Sequence, residues 1–155
     1  MQIRRACVAD IPSLNKLLRQ VLNVHFQGRP DLFKENAKKY TDNDLKKILS
    51  SCDTPVFVAE ENGVLEGYAF CIFKQETNSE ILTPIKTLYI DDLCVDETCR
   101  KKGVGKLLYS YVLDFAKQQN CYNVTLNVWC CNQDALSFYQ KLGLQPQKIG
   151  MEQIL

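Results

Sequence analysis

Apolar residues recur along the chain with two spacings, one typical of helices and one typical of strands. Steps of three and four residues predict helices over residues 10–22, 42–51, 104–118 and 132–142. Alternating or continuous apolar runs predict strands over residues 2–6, 55–60, 65–73, 87–95 and 123–129. A turn at residues 61–63 joins two of these strands into an antiparallel hairpin. The later strand, helix, strand order requires a right-handed crossover and a parallel pair, so we expect a mixed α/β (α+β) fold.

Length, charge and the first residues narrow the class of protein. The 155 residues fit one domain, residues 1–155, and the 19 basic and 18 acidic side chains give a net charge of +1. This balance disfavours nucleic acid or an anionic membrane as a partner. The start lacks the apolar core of a signal peptide and no apolar run is long enough to cross a bilayer, so we expect a cytoplasmic protein.

The eight cysteines do not follow a disulfide or metal pattern. None are spaced as Cys-x-x-Cys, and His25 is the sole histidine, so we expect reduced thiols and no metal site. A thiol-based redox function of the adjacent Cys130 and Cys131 is a weaker hypothesis, because two thiols at a strand end are usually inert.

The most informative stretch is a glycine loop, residues 100–106, between a predicted strand and a predicted helix. The first turn of a helix leaves backbone N–H groups unpaired, glycines let an anion approach the backbone, and basic side chains add charge. Leu107 rules out the Walker loop, which needs Ser or Thr there, and Leu108 replaces the third glycine of the dinucleotide fingerprint. A basic, solvated helix start is the structural alternative. We predict a site for a diphosphate-bearing ligand at Arg100, Lys101, Lys102, Gly103, Val104, Gly105 and Lys106.

Two acids interrupt the apolar strand over residues 87–95. Because side chains alternate along a strand, Asp91 should share a face with Leu93, and Asp92 should share the other face with Ile90 and Cys94. At least one carboxylate is expected in a cleft, where burial raises a carboxyl pKa and suits it to hold or deprotonate an ammonium group. A strand-end acid that pairs with a lysine is the structural alternative.

Two further sets of residues are candidates for a site. Residues 25–33 are expected to form a loop that lines a substrate cleft, with His25 and Phe26 as acceptor-binding residues, although a histidine at a helix end more often caps or packs. Asn132 and Tyr139 are seven residues apart, which places both on one side of a helix that Gly143 ends.

Two motifs carry a family resemblance. Residues 100–105 match Arg-x-x-Gly-x-Gly, and residues 132–143 match Asn-x-x-Ala-x-x-Phe-Tyr-x-Lys-x-Gly. In this order the motifs, within residues 88–146, resemble the GNAT N-acetyltransferases. The resemblance implies a mostly antiparallel sheet with one central parallel strand pair, flanked by helices. It also implies an acetyltransferase that uses acetyl-CoA to modify a primary amine of a small molecule or protein, by direct attack in a ternary complex. A non-catalytic acyl-CoA-binding or sensing module is the alternative.

The resemblance implies roles for single residues. Asp91, directly or through water, would take the proton of the amine, with Asp92 as the alternative base. Tyr139 would lie near the thioester sulfur and protonate it, unless it is a core aromatic. Asn132 would contact the cofactor arm, unless it is only a helix N-cap. Backbone groups of Leu93, Cys94 and Val95 would bond the pantetheine arm, and the amides of Arg100 to Lys106 would hold the pyrophosphate.

The predicted elements leave residues 148–155 for the final strands. We expect a short last hairpin, or one completed by a second copy of the chain, that is, a homodimer.

Overall fold

A five-stranded sheet forms the centre of the computed structural model, which describes residues 1–155. Neighbouring strands lie in sequence order and are antiparallel, except for the last two, which are parallel. The predicted mixed, mostly antiparallel fold is confirmed. The parallel pair lies at one edge of the sheet rather than at its centre, because no further strand follows. The strands are β1 (Gln2–Arg5), β2 (Val56–Glu61), β3 (Val64–Gln75), β4 (Lys86–Val95) and β5 (Asn123–Leu126).

Helices cover both faces of the sheet. Alternation along β3 divides the core, since Tyr68 and Phe70 belong to one cluster of buried side chains and Ala69 and Cys71 to the other. The first cluster packs under α1 and α2, and the second packs under α3 and α4. The helices are α1 (Ile11–Gly28), α2 (Asp42–Ser50), α3 (Val104–Gln118) and α4 (Gln133–Lys141).

The first helix is longer than the sequence pattern predicts. α1 continues to Gly28, so His25 and Phe26 are helical rather than part of a loop. The apolar period weakens after Leu22, but residues 23–27 include no proline or glycine that would break the backbone ladder. The helix ends where Gly28 is followed by Arg29, whose N–H still bonds the His25 carbonyl at 2.9 Å, and by Pro30.

The final strands expected after residue 147 do not form. Residues 144–155 have no helix or strand, and Ile149, Met151 and Ile154 are largely exposed. A strand needs a partner to pair its backbone groups, and no strand of the sheet pairs with this segment, which the ion pair of Glu152 with Arg29 joins to the end of α1. The homodimer therefore stays a prediction.

Three observations bear on the class of protein. No helix combines the length and the apolar character that crossing a bilayer requires. All eight cysteines have free thiols. The His, Cys, Asp and Glu side chains include no group arranged to hold a metal ion.

Candidate active site

The two parallel strands separate near the middle of β4. Pairing begins at Thr87 with Asn123 and stops at Ile90 with Leu126, whereas β4 continues to Val95. β5 is three residues shorter than the sequence predicts, because residues 127–129 leave the sheet. Residues 91–95 consequently keep one edge without a strand partner. The backbone of Leu93, Cys94 and Val95 lies along this open edge.

A β-bulge in β4 overturns the predicted distribution of the two acids. Phe70 pairs with Asp92 and Cys71 with Ile90, so Asp91 is an extra residue that faces no partner on β3. The bulge resets the alternation: Ile90 packs on the α3 side of the sheet and Cys94 on the α1 side. Asp92 therefore shares a face with Cys94, as predicted, but not with Ile90. Asp91 does not share a face with Leu93 either, since both carboxylates point to the α1 side and Leu93 packs on the α3 side.

Asp91 and Asp92, here called the acid pair, converge on one lysine. Lys39 Nζ lies 2.9 Å from Asp91 Oδ2 and 3.6 Å from Asp92 Oδ2. The hydroxyl of Tyr40 donates to Asp91 Oδ2 at 3.0 Å, and the hydroxyl of Tyr68 donates to Asp92 Oδ2 at 3.0 Å. The Asp91 side chain is 24% exposed and that of Asp92 only 7%. One acid is therefore open to an incoming molecule, and the other is enclosed by protein.

Burial separates the chemistry of these groups. It raises the pKa of Asp92, and the charge of Lys39 and the Tyr68 hydrogen bond only partly oppose this. For Lys39, burial disfavours the ammonium form, but the charge of Asp92, with the hydrogen bond and charge of Asp91, outweighs burial and raises the pKa. The pair thus holds a cation firmly and includes one carboxyl, that of Asp92, whose pKa lies above its usual value.

The glycine loop presents free backbone donors. The first hydrogen bond of α3 runs from Leu107 N–H to the Gly103 carbonyl at 3.0 Å, and none of the chain's backbone hydrogen bonds outside the regular elements is donated by residues 100–106. No carboxylate forms an ion pair with the basic side chains of this loop, Arg100, Lys101, Lys102 and Lys106. Donors and positive charge are therefore available to an anion.

The two glycine positions of the loop require glycine for different physical reasons. Gly103 has φ of 88°, a left-handed conformation that other residues adopt only with strain, and a Cβ there would meet nothing within 4 Å. A Cβ on Gly105 would lie 3.1 Å from Cζ of Phe138 on α4. Gly103 thus shapes the loop, while Gly105 lets α3 approach α4.

Tyr139 lies on the α3 side of the sheet, where its ring packs edge-on to Tyr109 at 6.2 Å. Tyr139 is only 9% exposed, so its ring is part of the core, as the alternative interpretation of the sequence predicts. Its hydroxyl forms no hydrogen bond within the chain and is not completely enclosed by protein. Burial, and then the charge of Asp92, raises the pKa of Tyr139, which keeps the phenol protonated.

Asn132 and His25 meet at a cleft of about 300 Å³, whose other lining residues are Val24, Cys131, Gln133 and Asp134. Asn132 Oδ1 accepts a hydrogen bond from the Ala135 N–H at 3.1 Å and so caps α4. The helix N-cap role, which the sequence offered as the alternative for Asn132, is therefore present in the structure. Burial lowers the pKa of His25, the charge of Asp92 opposes this shift, and that of Lys39 adds to it. Phe26 is half-buried on α1 and does not line this cleft.

Several residues of the site have no local sequence pattern that reveals them. Lys39 and Tyr40 lie in the segment of residues 29–41 between α1 and α2, about 50 positions away from the acid pair that they contact. Phe33 of the same segment lies 5.1 Å from the His25 ring and packs edge-on to Trp129 at 5.3 Å. The one local signal nearby is the capping box of Thr41 and Asp44, which fixes the start of α2 directly after Lys39 and Tyr40.

Comparison with known sequences gives consistent relatives. The sequence profile of the acetyltransferase (GNAT) family matches residues 18–144. The uncharacterized N-acetyltransferase YhfO of Bacillus subtilis is 30% identical over 146 residues, which are 94% of this chain and 90% of that protein. The glucosamine 6-phosphate N-acetyltransferase of Arabidopsis thaliana is 25% identical over 99 residues, or 56% of this chain and 64% of that enzyme. The chain thus spans less than two thirds of the length of that enzyme.

Solved structures share the whole fold. A mutant of the BH1408 protein from Bacillus halodurans superimposes with a TM-score of 0.95 at 31% identity and covers 100% of this chain and 99% of that one. The aminoglycoside N-acetyltransferase AAC(6')-Iy, solved in complex with CoA, has a TM-score of 0.71 at 17% identity. The match covers 99% of this chain and 98% of that one, and at this identity it supports the fold alone. The family resemblance seen in the two motifs is confirmed, and this chain belongs to the acetyltransferase (GNAT) family.

Proposed function

We propose that this protein is an N-acetyltransferase that moves an acetyl group from acetyl-CoA to a primary amine by direct attack in a ternary complex. The observation that carries the proposal is the open edge of β4, which connects free backbone donors at the glycine loop to the acid pair. Family membership supports acetyl transfer in general, and the geometry supports its arrangement in this chain.

The residues present fit acetyl-CoA. The free edge of Leu93, Cys94 and Val95 offers backbone groups that can pair with an extended amide-bearing arm, as a further strand would. The amides and cations of residues 100–106 suit a diphosphate. Asn132, beside the same end of the sheet, would contact the arm between them. When bound, acetyl-CoA supplies an acyl carbon that is activated by its thiolate leaving group.

The acid pair is suited to bind and deprotonate the amine. Its two carboxylates already hold one ammonium group, that of Lys39. The raised pKa of Asp92 suits it to act as the base, because a general base works best when its pKa lies near the operating pH. Asp91, the more exposed acid, contacts the amine first. The proton of the amine then passes to Asp92, directly or through water. His25 borders the same region and would line the acceptor side with Phe26.

Tyr139 is suited to protonate the departing sulfur. Its phenol is protonated at neutral pH, as an ordinary tyrosine is, and burial raises its pKa further, which makes it a fully loaded though weaker acid. Its hydroxyl is not committed to another group. A backbone N–H near Cys94, on the open edge, would stabilise the negative charge that develops on the carbonyl oxygen. Holding the amine and the thioester in line contributes alongside these proton transfers.

Direct attack is favoured over a covalent enzyme intermediate. Cys94, on the open edge, is the thiol closest in sequence to the acid pair, but it is buried and burial raises its pKa to about 12. Its thiol also contacts the Leu17 carbonyl at 3.6 Å. A thiol held in this way forms almost no thiolate at neutral pH and is a poor nucleophile.

The test has two measurements on the same preparation. Calorimetric titration with CoA should give a single site, and a panel of primary amines with acetyl-CoA should release free thiol with at least one member. The panel should include an alkyl diamine, an aminoglycoside, an amino sugar phosphate, free amino acids and a lysine peptide. Absence of CoA binding would refute the proposal. Binding without thiol release from any amine would favour a non-catalytic acyl-CoA-binding module instead.

A further inference from the structure

A primary amine of the chain itself already sits at the acid pair. Lys39 Nζ is 2.9 Å from Asp91 Oδ2 and 3.6 Å from Asp92 Oδ2, and no other lysine or arginine forms an ion pair with either carboxylate. The Lys39 side chain is 29% exposed, and the neighbouring Tyr40 is fixed by its own bond to Asp91 and by stacking on Phe70 at 5.8 Å. This amine is therefore held where an external amine would have to bind.

We propose that Lys39 is a self-acetylation site, which the protein modifies with its own bound acetyl-CoA. The inference rests on the proposed function, because it uses the same acid pair and the same acyl donor. It assigns to Lys39 the position of the ammonium group of the acceptor.

The reaction balances as an ordinary acyl transfer. The Lys39 ammonium loses a proton to the acid pair, and from there the proton passes to water. The Nζ–acyl bond forms as the carbon–sulfur bond of the thioester breaks. The attacking nitrogen releases its second proton through the acid pair to water, and the sulfur leaves as the thiol with a proton from Tyr139, which water then restores. The products are acetylated Lys39 and CoA, and no oxidant or further reactant is needed.

Acetylation of Lys39 would change the site. The amide that forms carries no charge, so it cannot pair with Asp91 and Asp92 as the ammonium does. The acid pair would then be free to bind the ammonium group of an external acceptor. Residues 29–41 would keep Tyr40 as their remaining contact with Asp91.

The neighbouring Lys38 is a matched control within the chain. Lys38 precedes Lys39 in the same segment and is also ion-paired, at 2.8 Å to Asp42. Its side chain is 45% exposed and forms no ion pair with the acid pair. Both amines are ion-paired, so uncatalysed acetylation by a thioester should favour the more exposed of the two, which is Lys38. The two lysines therefore distinguish reaction directed by the site from chemical background.

The experiment uses wild-type protein with acetyl-CoA and no acceptor, followed by peptide mass spectrometry over time. We expect Lys39 to be acetylated about tenfold faster than Lys38, and Tyr139→Phe to slow Lys39 to the uncatalysed rate that Lys38 shows, without affecting Lys38. A second readout needs no turnover: cofactor-free Lys39→Gln, which mimics the acetylated side chain, should bind 1,4-diaminobutane more tightly than Lys39→Arg in calorimetry.

The outcomes separate the two proposals. Acetylation of Lys38 at a rate equal to or above that of Lys39 would overturn the inference. Thiol release with an external amine, while Lys39 stays unmodified, would overturn this inference and leave the proposed function standing. A preparation that binds no CoA and acetylates no amine would overturn both.

Discussion

The glycine loop and the acid pair are both rich in charge, but they differ in how that charge is satisfied. The loop has free amides and cations that pair with no carboxylate, whereas the acid pair is already bonded to Lys39, Tyr40 and Tyr68. An anion can approach the first region without displacing protein groups. A cationic amine must compete with Lys39 at the second. On the proposed function, cofactor affinity would be set by an open site and acceptor specificity by an occupied one.

Removal of the Tyr139 hydroxyl should have the largest effect, and it tests whether the two regions act on one reaction. Tyr139→Phe keeps the ring in the core but deletes the proposed proton donor, so turnover should fall about 100-fold or more. CoA affinity should stay within about twofold, because the loop is untouched. Steady-state kinetics and calorimetry measure the two quantities.

Tyr109→Phe is the control for that substitution. Tyr109 is a buried tyrosine of the same core cluster, and its ring packs against Tyr139. Its substitution should leave turnover nearly unchanged. Equal losses in both variants would mean that Tyr139 contributes packing rather than a proton.

Replacement of the two acids should have the next largest effect and should separate the contribution of Asp92 to turnover from that of Asp91. The pKa of Asp92 is raised by burial, so turnover should fall as the pH drops through that pKa and the carboxyl becomes protonated. Asp92→Asn should reduce kcat/KM about tenfold or more and flatten this acidic limb. Asp91→Asn should keep the limb. The profile from about pH 5 to pH 9 measures it, and a limb that persists in Asp92→Asn would assign the base elsewhere.

Substitution of Lys39 should have a moderate effect on stability. The raised pKa of Lys39 means that its contribution is present below the pKa of an unfolded lysine and is lost as the pH rises through the folded value. Lys39→Met should therefore lower the free energy of unfolding by about 1–2 kcal/mol at neutral pH, with a smaller deficit at strongly alkaline pH. Urea unfolding at both pH values measures this.

Lys38→Met serves as the comparison for Lys39→Met. Its ion pair with Asp42 lies on the surface, and such pairs contribute about 0.5 kcal/mol or less. If both substitutions had the same small effect, the acid pair would not depend on Lys39 for its charge.

Backbone changes in the glycine loop should have the smallest effects. Gly103→Ala places a Cβ at φ of 88°, which should cost about 1 kcal/mol of stability although the space is open. Lys101 also has a left-handed φ, 64°, so Lys101→Gly should be neutral or stabilising by up to about 1 kcal/mol. Thermal unfolding measures both, and opposite signs would show that backbone conformation, rather than charge, limits the stability of the loop.

The same comparison explains how far the sequence could lead. The glycine loop, the capping Asn132 and the helix stop at Gly143 depend on neighbours a few residues away, so their spacing is visible in the sequence. The bulge at Asp91 was not predicted, because strict alternation is the default for a strand and only the pairing with β3 reveals the extra residue. Lys39 reaches the acid pair across 52 positions, and no periodic pattern encodes such a contact. The sequence thus located the acids without their partners.

The edge-on contact between Phe33 and Trp129 has a practical consequence. Trp129 is the only tryptophan in the chain, it is 42% exposed, and its partner Phe33 also packs on His25 at the proposed acceptor side. Indole emission is sensitive to such packing and to solvent. The protein therefore carries its own optical reporter, and changes in its intrinsic fluorescence should follow amine binding in real time without any attached label.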